Sequence, residues 1–141
     1  MNATRNRAGV ILAGGASARM GEDKALLTAP SGLTLVEHIR DQFSTVVSAV
    51  AISAPLAKRY CPGVPHITDK RGGIGPCAGV EAGLIWAREH HAKILLTWPV
   101  DVPLVPAPWM NELAQSIQRG EARSCYLRAT LPDGHAESQP L

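Results

Sequence analysis

No apolar run in this chain is long enough to cross a bilayer or to act as a secretory leader. The first, Val10 to Ala13, follows the polar start MNATRNRAG and is soon cut by glycine. The expected setting is therefore cytoplasmic, with no membrane partner, and the Asn2-Ala3-Thr4 glycosylation pattern carries no meaning without export. Cysteine is scarce: Cys61, Cys77 and Cys125 form no CxxC pair, so reduced structural thiols are expected rather than disulfides. A surplus of one charge is also missing. The net charge is +2 with a pI near 8.6, and no stretch gathers the basic residues into a run, which excludes the electrostatic footprint of a nucleic-acid partner. Internal repeats and low-complexity segments are absent as well.

What is present is a chain of 141 residues, 45% hydrophobic and 18% charged, with 13 glycines and 11 prolines. A chain of this length hides roughly 70% of its extended surface on folding, enough for one core and too little for two. Short apolar runs at 8–13 (AGVILA), 46–53 (VVSAVAIS) and 93–100 (KILLTWPV) read as buried strands. Between the first two lies TLVEHIRDQF, where Thr34 and Glu37 form a capping-box pattern and Leu35, Val36, Ile39 and Phe43 share a helical face. A second helix is expected from Pro76 to His90, with Val80, Leu84 and Ala87 at helical spacing. A third is expected from near Pro108 through Met110, Leu113 and Ile117 to Gly120. RSCYLRA then alternates like a strand and LPDG reads as a turn. This alternation predicts an α/β fold with a doubly wound, mostly parallel sheet.

The segment LAGGASARMGEDKALL (12–27) leaves the first strand. In an open parallel sheet, ligands bind beyond the carboxyl ends of the strands. Gly14 and Gly15 permit backbone angles closed to other residues and put no side chain between amide groups and an anion. Arg19 and Lys24 add positive charge at a reach that suits a triphosphate, the first as a fork and the second as a point charge. Neither common phosphate loop is spelled here. A Walker loop needs G-x-x-x-x-G-K-[ST] and a dinucleotide fingerprint needs G-x-G-x-x-G, and GGASARMG supplies neither. From these residues alone, a glycine-rich turn with ordinary surface charges stays open as the alternative.

The same segment resembles the nucleotidyltransferase signature L-A-G-G-x-S-x-R-M-G-x-D-K, most closely that of the molybdenum cofactor guanylyltransferase family. GPCAGVEAGL (75–84) resembles that family's second block, and WPVDVPLVP (98–106) resembles its third, with Asp-x-Pro at a strand end. The resemblance covers nearly the whole chain. It implies a single nucleotidyltransferase domain of Rossmann-like fold over 1–141, with a nucleotide-binding part at 7–105 and part of an acceptor side at 106–141. Members of the family usually continue further, so the chain is expected to be C-terminally truncated relative to them.

The implied activity is Mg²⁺-dependent transfer of GMP from GTP to molybdopterin, the organic part of the molybdenum cofactor, with release of pyrophosphate. Contact with molybdoenzyme maturation proteins is the further partner implied. By the same similarity Leu12, Ala13, Gly14 and Gly15 line the guanine and phosphate side of the pocket. Lys24 and Arg19 meet the phosphates, Asp69 contacts the nucleoside and Asp101 holds the metal. Ser53 falls at a nucleotide-contact position where relatives can carry Asn. Gly75, with Gly79, is expected to let backbone approach the base, the alternative being a helix start packed on the sheet. Relatives that transfer CMP tend to read L-A-A-G, so Gly14 favours a purine. A cytidylyl or sugar-phosphate nucleotidyltransferase, and a nucleotide-binding remnant without turnover, are the alternatives.

The chemistry is compatible with these residue types. Attack of a phosphate on the α-phosphorus of a nucleotide gathers negative charge, so positioning and electrostatic stabilisation are the main catalytic tools. A phosphate monoester is largely ionised near neutral pH; the lack of a Ser-His-Asp or Cys-His arrangement is no objection. A single aspartate suffices for Mg²⁺, which fills its shell with water and substrate oxygens, although an Asp ahead of Val102-Pro103 also reads as a turn former. His90 and His91 read as the end of a helix rather than as metal ligands. Trp86, Trp98 and Trp109 read as core or rim, with Trp98 the one candidate for a pterin-stacking platform. Asp23 reads as a turn cap or as a residue that orients Lys24.

Overall fold

The structure is a computed structural model that describes residues 4–14, 23–55, 58–68, 76–120, 123, 129–130 and 136–137. In chain order the elements are β1 (Arg7–Leu12), a 3-10 turn (Lys24–Leu26), α1 (Leu35–Phe43), β2 (Ala49–Ser53) and β3 (His66–Ile67). They continue with α2 (Pro76–Glu89), β4 (Ile94–Pro99), α3 (Ala107–Gln118), β5 (Ala129–Thr130) and β6 (Ala136–Glu137). The main sheet has four strands in the order β3-β2-β1-β4, all parallel. β5 and β6 form a separate antiparallel pair.

Each residue of β1 is buried, because the strand lies between two neighbours and is covered on both faces, the usual situation in parallel sheets. Its side chains alternate between two cores, as the period of a strand requires. Ala8, Val10 and Leu12 pack with Ala51 of β2 and with Trp86 and Ala87 of α2. Ile11 faces the other way, into a cluster with Ile39 and Phe43 of α1, Leu96 and Trp98 of β4, and Met110 and Ala114 of α3. Helices on both faces make the sheet doubly wound, as the sequence predicts. The strand order turns back between β1 and β4, and the loops leaving these two strands flank the switch point where such sheets take ligands.

The expected capping box forms. Thr34 Oγ1 accepts from the Glu37 amide and the Glu37 carboxylate accepts from the Thr34 amide, fixing the start of a helix that buries Val36, Ile39 and Phe43. Val46 and Val47, expected in the second strand, instead close the turn after α1, both donating their amides to the Phe43 carbonyl. They are buried, so core packing rather than strand pairing explains their apolar character. α3 ends as expected, with Gly120 at φ +75°.

α2 meets the sheet differently from the expected Val80–Leu84–Ala87 stripe. Leu84 is 56% exposed, and the helix approaches through its glycines. A Cβ at Gly79 would lie 2.9 Å from Ser53 Oγ and 3.0 Å from Leu12 Cδ2, and one at Gly83 would lie 3.2 Å from both Val10 and Leu95. Of the strand expected over RSCYLRA, Arg123 lies in a bend and Ala129 pairs with Glu137; residues 124–128 and the LPDG turn lie outside the described residues.

Candidate active site at the β1/β4 switch point

Past Leu12 the end of β1 is tied to both neighbouring strands. The Ala13 amide donates to the Ser53 carbonyl at 2.9 Å, and the Leu12 carbonyl accepts from the Val100 amide at 3.1 Å. The side chains of Leu12 and Ala13 belong to the two cores, whereas Gly14 is exposed. Its backbone does not use the left-handed freedom that glycine permits; among the described residues the glycines with positive φ are Gly32, Gly63 and Gly120. A Cβ at Gly14 would sit in ordinary contact with Pro55, 3.7 Å away. Packing therefore does not demand glycine here, and the missing methyl leaves room on the solvent side.

Lys24 opens the 3-10 turn that Asp23 caps. Asp101 stands in the turn after β4, where the Val102 amide donates to the Pro99 carbonyl and the Trp98 indole donates to the Val102 carbonyl at 2.7 Å. These two turns face each other, and Lys24 Nζ lies 3.0 Å from Asp101 Oδ1. The side chains are 40% and 65% exposed, so both are open to a ligand. A cation and a carboxylate, 77 positions apart in sequence, thus meet at the carboxyl edge of the sheet, where parallel sheets take their ligands. Among the described residues no group of three or more His, Cys, Asp or Glu side chains could hold a metal by itself. Asp101 is a single accessible carboxylate, which suits a cation that takes most of its ligands from water and phosphate.

Behind Lys24, the Asp23 carboxylate accepts from the Ala25 amide at 3.2 Å, the Tyr60 hydroxyl at 2.7 Å and Lys58 Nζ at 2.9 Å. Burial pushes its pKa up, but the Tyr60, Lys58 and Ala25 hydrogen bonds and the Lys58 charge outweigh it and hold the group below the ordinary carboxylate value. Burial and the Asp23 carboxylate push the Tyr60 hydroxyl well above its usual value.

The other expected site residues fare differently. Ser53 is buried at the end of β2, with its hydroxyl beside Gly79 of α2. Gly79 likewise serves the close packing of helix on strand. Gly15, Arg19, Asp69 and Gly75 lie outside the described residues. Trp98 is no stacking platform: it is 1% exposed, edge-on to Phe43 at a centroid distance of 5.4 Å. Its contribution to the site is to hold the Asp101 turn. Tyr60 and Lys58 escaped the sequence reading because nothing in their spacing links them to Asp23.

Residues 9–136 match the MobA-like NTP transferase domain. The chain belongs to that family. Among relatives of this MobA-like chain, the molybdenum cofactor guanylyltransferase of Rhodobacter capsulatus is 41% identical over 110 residues, covering 76% of this chain and 57% of the relative. The protein of the same name from Acidiphilium cryptum (strain JF-5) is 39% identical over 135 residues, covering 92% of this chain and 68% of the relative. The chain thus spans between 57% and 68% of the length of these two relatives. The crystal structure of Rv0371c from Mycobacterium tuberculosis H37Rv superposes with a TM-score of 0.60 at 21% identity, over 84% of this chain and 63% of that one, a likeness of fold. Among the described residues, no helix of this MobA-like domain is long and apolar enough to cross a membrane.

Proposed function

We propose that this domain transfers GMP from GTP to molybdopterin and releases pyrophosphate, with Mg²⁺ as the divalent ion. The observation that carries the reading is the 3.0 Å approach of Lys24 to Asp101, which joins the first and third motif blocks at the switch point of the sheet. The relatives' shared name, molybdenum cofactor guanylyltransferase, supports the choice of nucleotide and acceptor. Gly14 supports a purine, because the fold itself would accept a methyl there.

In this reading a terminal phosphate oxygen of the acceptor attacks the α-phosphorus of GTP. The new P–O bond forms as the bond to the β-phosphate oxygen breaks, and pyrophosphate leaves with that electron pair. Lys24 leaves Asp101 to neutralise the phosphate oxygens, and Arg19, with the backbone of Gly14 and Gly15, completes the phosphate cradle. Mg²⁺ held by Asp101 would supply charge neutralisation across the phosphates. Asp69, Ser53 and Gly75, with the backbone of Leu12 and Ala13, serve the nucleoside. A cytoplasmic setting and contact with molybdoenzyme maturation proteins complete the proposal.

The test is pyrophosphate release measured with each of the four NTPs, with and without molybdopterin. Release with GTP that depends on both the acceptor and the metal is the expected result. Turnover with CTP alone would assign a cytidylyltransferase. GTP binding without any product would assign a nucleotide-binding module.

A further inference from the structure

We propose that Tyr60 and Lys58 are positioning residues for Lys24, acting through the Asp23 carboxylate. The proposal rests on the role given to Lys24 above and extends the site to a segment between β2 and β3 that no motif touches.

The turn that carries Lys24 is a single turn of 3-10 helix, Lys24–Leu26. So short a helix has no stability of its own, because nucleating a turn fixes several dihedral angles for one hydrogen bond. Its geometry is set by its cap together with Ala25, which is buried in the core. Asp23 supplies that cap with Oδ1, on the Ala25 amide. The other oxygen, Oδ2, receives both the Tyr60 hydroxyl and the Lys58 ammonium. Rotation of the carboxylate away from Ala25 would break these bonds, so the two outer partners lock the cap.

Tyr60 is itself held. It is 4% exposed, its amide donates to His66 Nε2 at 2.9 Å, and His66 Nδ1 lies 3.0 Å from the Val64 carbonyl. With Nε2 accepting, the proton sits on Nδ1 and the ring is fixed as that tautomer. The Tyr60 and His66 rings stack at 6.3 Å, so the hydroxyl that reaches Asp23 is anchored at β3 of the main sheet.

Lys58 adds a separation of charges. Two carboxylates and two ammonium groups form two pairs, Asp23 with Lys58 and Lys24 with Asp101. With Lys58 in place, Asp23 is already neutralised and does not draw Lys24 back toward its own turn. Lys24 is thereby left to Asp101 and to an incoming phosphate.

The experiment is a double-mutant cycle. Mg²⁺·GTP affinity by calorimetry and pyrophosphate release are measured for Tyr60→Phe and Lys58→Met, each with Lys24 present and with Lys24→Ala. With Lys24 present, either substitution is expected to lower affinity or turnover between about 5-fold and 50-fold, the scale of a misplaced charge contact. In the Lys24→Ala background each should change them by less than about twofold, since residues acting through one group are not additive. Equal losses in both backgrounds would show a general structural role and overturn the proposal, as would the absence of a loss with Lys24 present. If Tyr60→Phe does not fold, the partly exposed Lys58→Met carries the same comparison. A Lys24→Ala protein as active and as tight-binding as the parent would instead overturn the role of Lys24 itself, an outcome distinct from a silent Tyr60→Phe beside an impaired Lys24→Ala.

Discussion

Lys24 and Asp101 are both open to solvent, so their contact contributes at most about 1 kcal/mol to folding. Substitution at either position therefore separates activity from stability. Lys24→Ala should lose about a hundred- to a thousandfold in turnover, the cost of removing one stabilising charge contact, while its melting temperature stays near that of the parent. Asp101→Asn should keep the fold and lose metal-dependent turnover; an unchanged metal requirement would remove Asp101 from the site. Asp23 offers a test by pH. Its folded pKa lies below its unfolded value, so the stabilisation it provides is complete above the ordinary carboxylate pKa. That stabilisation is lost as pH falls through the lower, folded value. Acid unfolding followed by circular dichroism should begin at higher pH in Asp23→Ala than in the parent. The Lys24–Asp101 encounter was foreseeable only through the order of the motif blocks. The Asp23, Lys58 and Tyr60 cluster was not foreseeable, because contacts across 35 and 37 positions leave no trace in local spacing.

Elements with a clear period were the legible ones. β1, β4, α1, α2 and α3 lie within a residue or two of their expected limits: α1 and α3 carry their apolar residues at helical spacing, β1 and β4 are short apolar runs, and α2 is marked by Pro76 at its start although Leu84 of its expected stripe is exposed. β3 is two residues long, too short to show any period. The packing of glycine was equally hidden, since a hydrophobic pattern records side chains and not their absence. Gly9 shows the consequence most sharply. A Cβ there would meet three Phe43 ring atoms at 3.0 to 3.1 Å, and that ring is held edge-on by Trp98. Gly9→Ala should therefore lose about 1 to 3 kcal/mol in denaturant unfolding through overpacking, despite the gain an alanine normally brings to a strand. Stability equal to the parent would mean that the Phe43–Trp98 pair can shift.

Across the whole molecule, the buried Arg7 network and the proposed active site lie at opposite ends of β1. At the amino end of β1, Arg7 is fully buried and donates to the Val46 carbonyl, Asn111 Oδ1 and Gln118 Oε1; among the described residues its Nε has no partner. Two of these partners, Val46 just past α1 and Gln118 at the end of α3, lie at helix carboxyl ends, where helix dipoles favour a cation. Burial still lowers its pKa from the usual guanidinium value. Nothing in the local pattern marks Arg7 as buried, because a charged residue in a polar start reads as surface. Arg7→Ala should cost about 2 to 5 kcal/mol, from the cavity and the loss of its hydrogen bonds to Val46, Asn111 and Gln118, and Arg7→Met, which fills most of the volume, should cost less. Neither should alter nucleotide affinity measured well below the melting temperature; a change would show that the two ends are coupled.

In the proposed function, the mutual engagement of Lys24 and Asp101 would bias the site toward composite ions. Orthophosphate or pyrophosphate on its own would have to take the lysine from an aspartate that already holds it, and a bare cation would have to take the aspartate from the lysine. A polyphosphate that arrives with its cation would satisfy both at once. Because the contact is exposed and weak, the preference would be a few-fold bias and not a barrier.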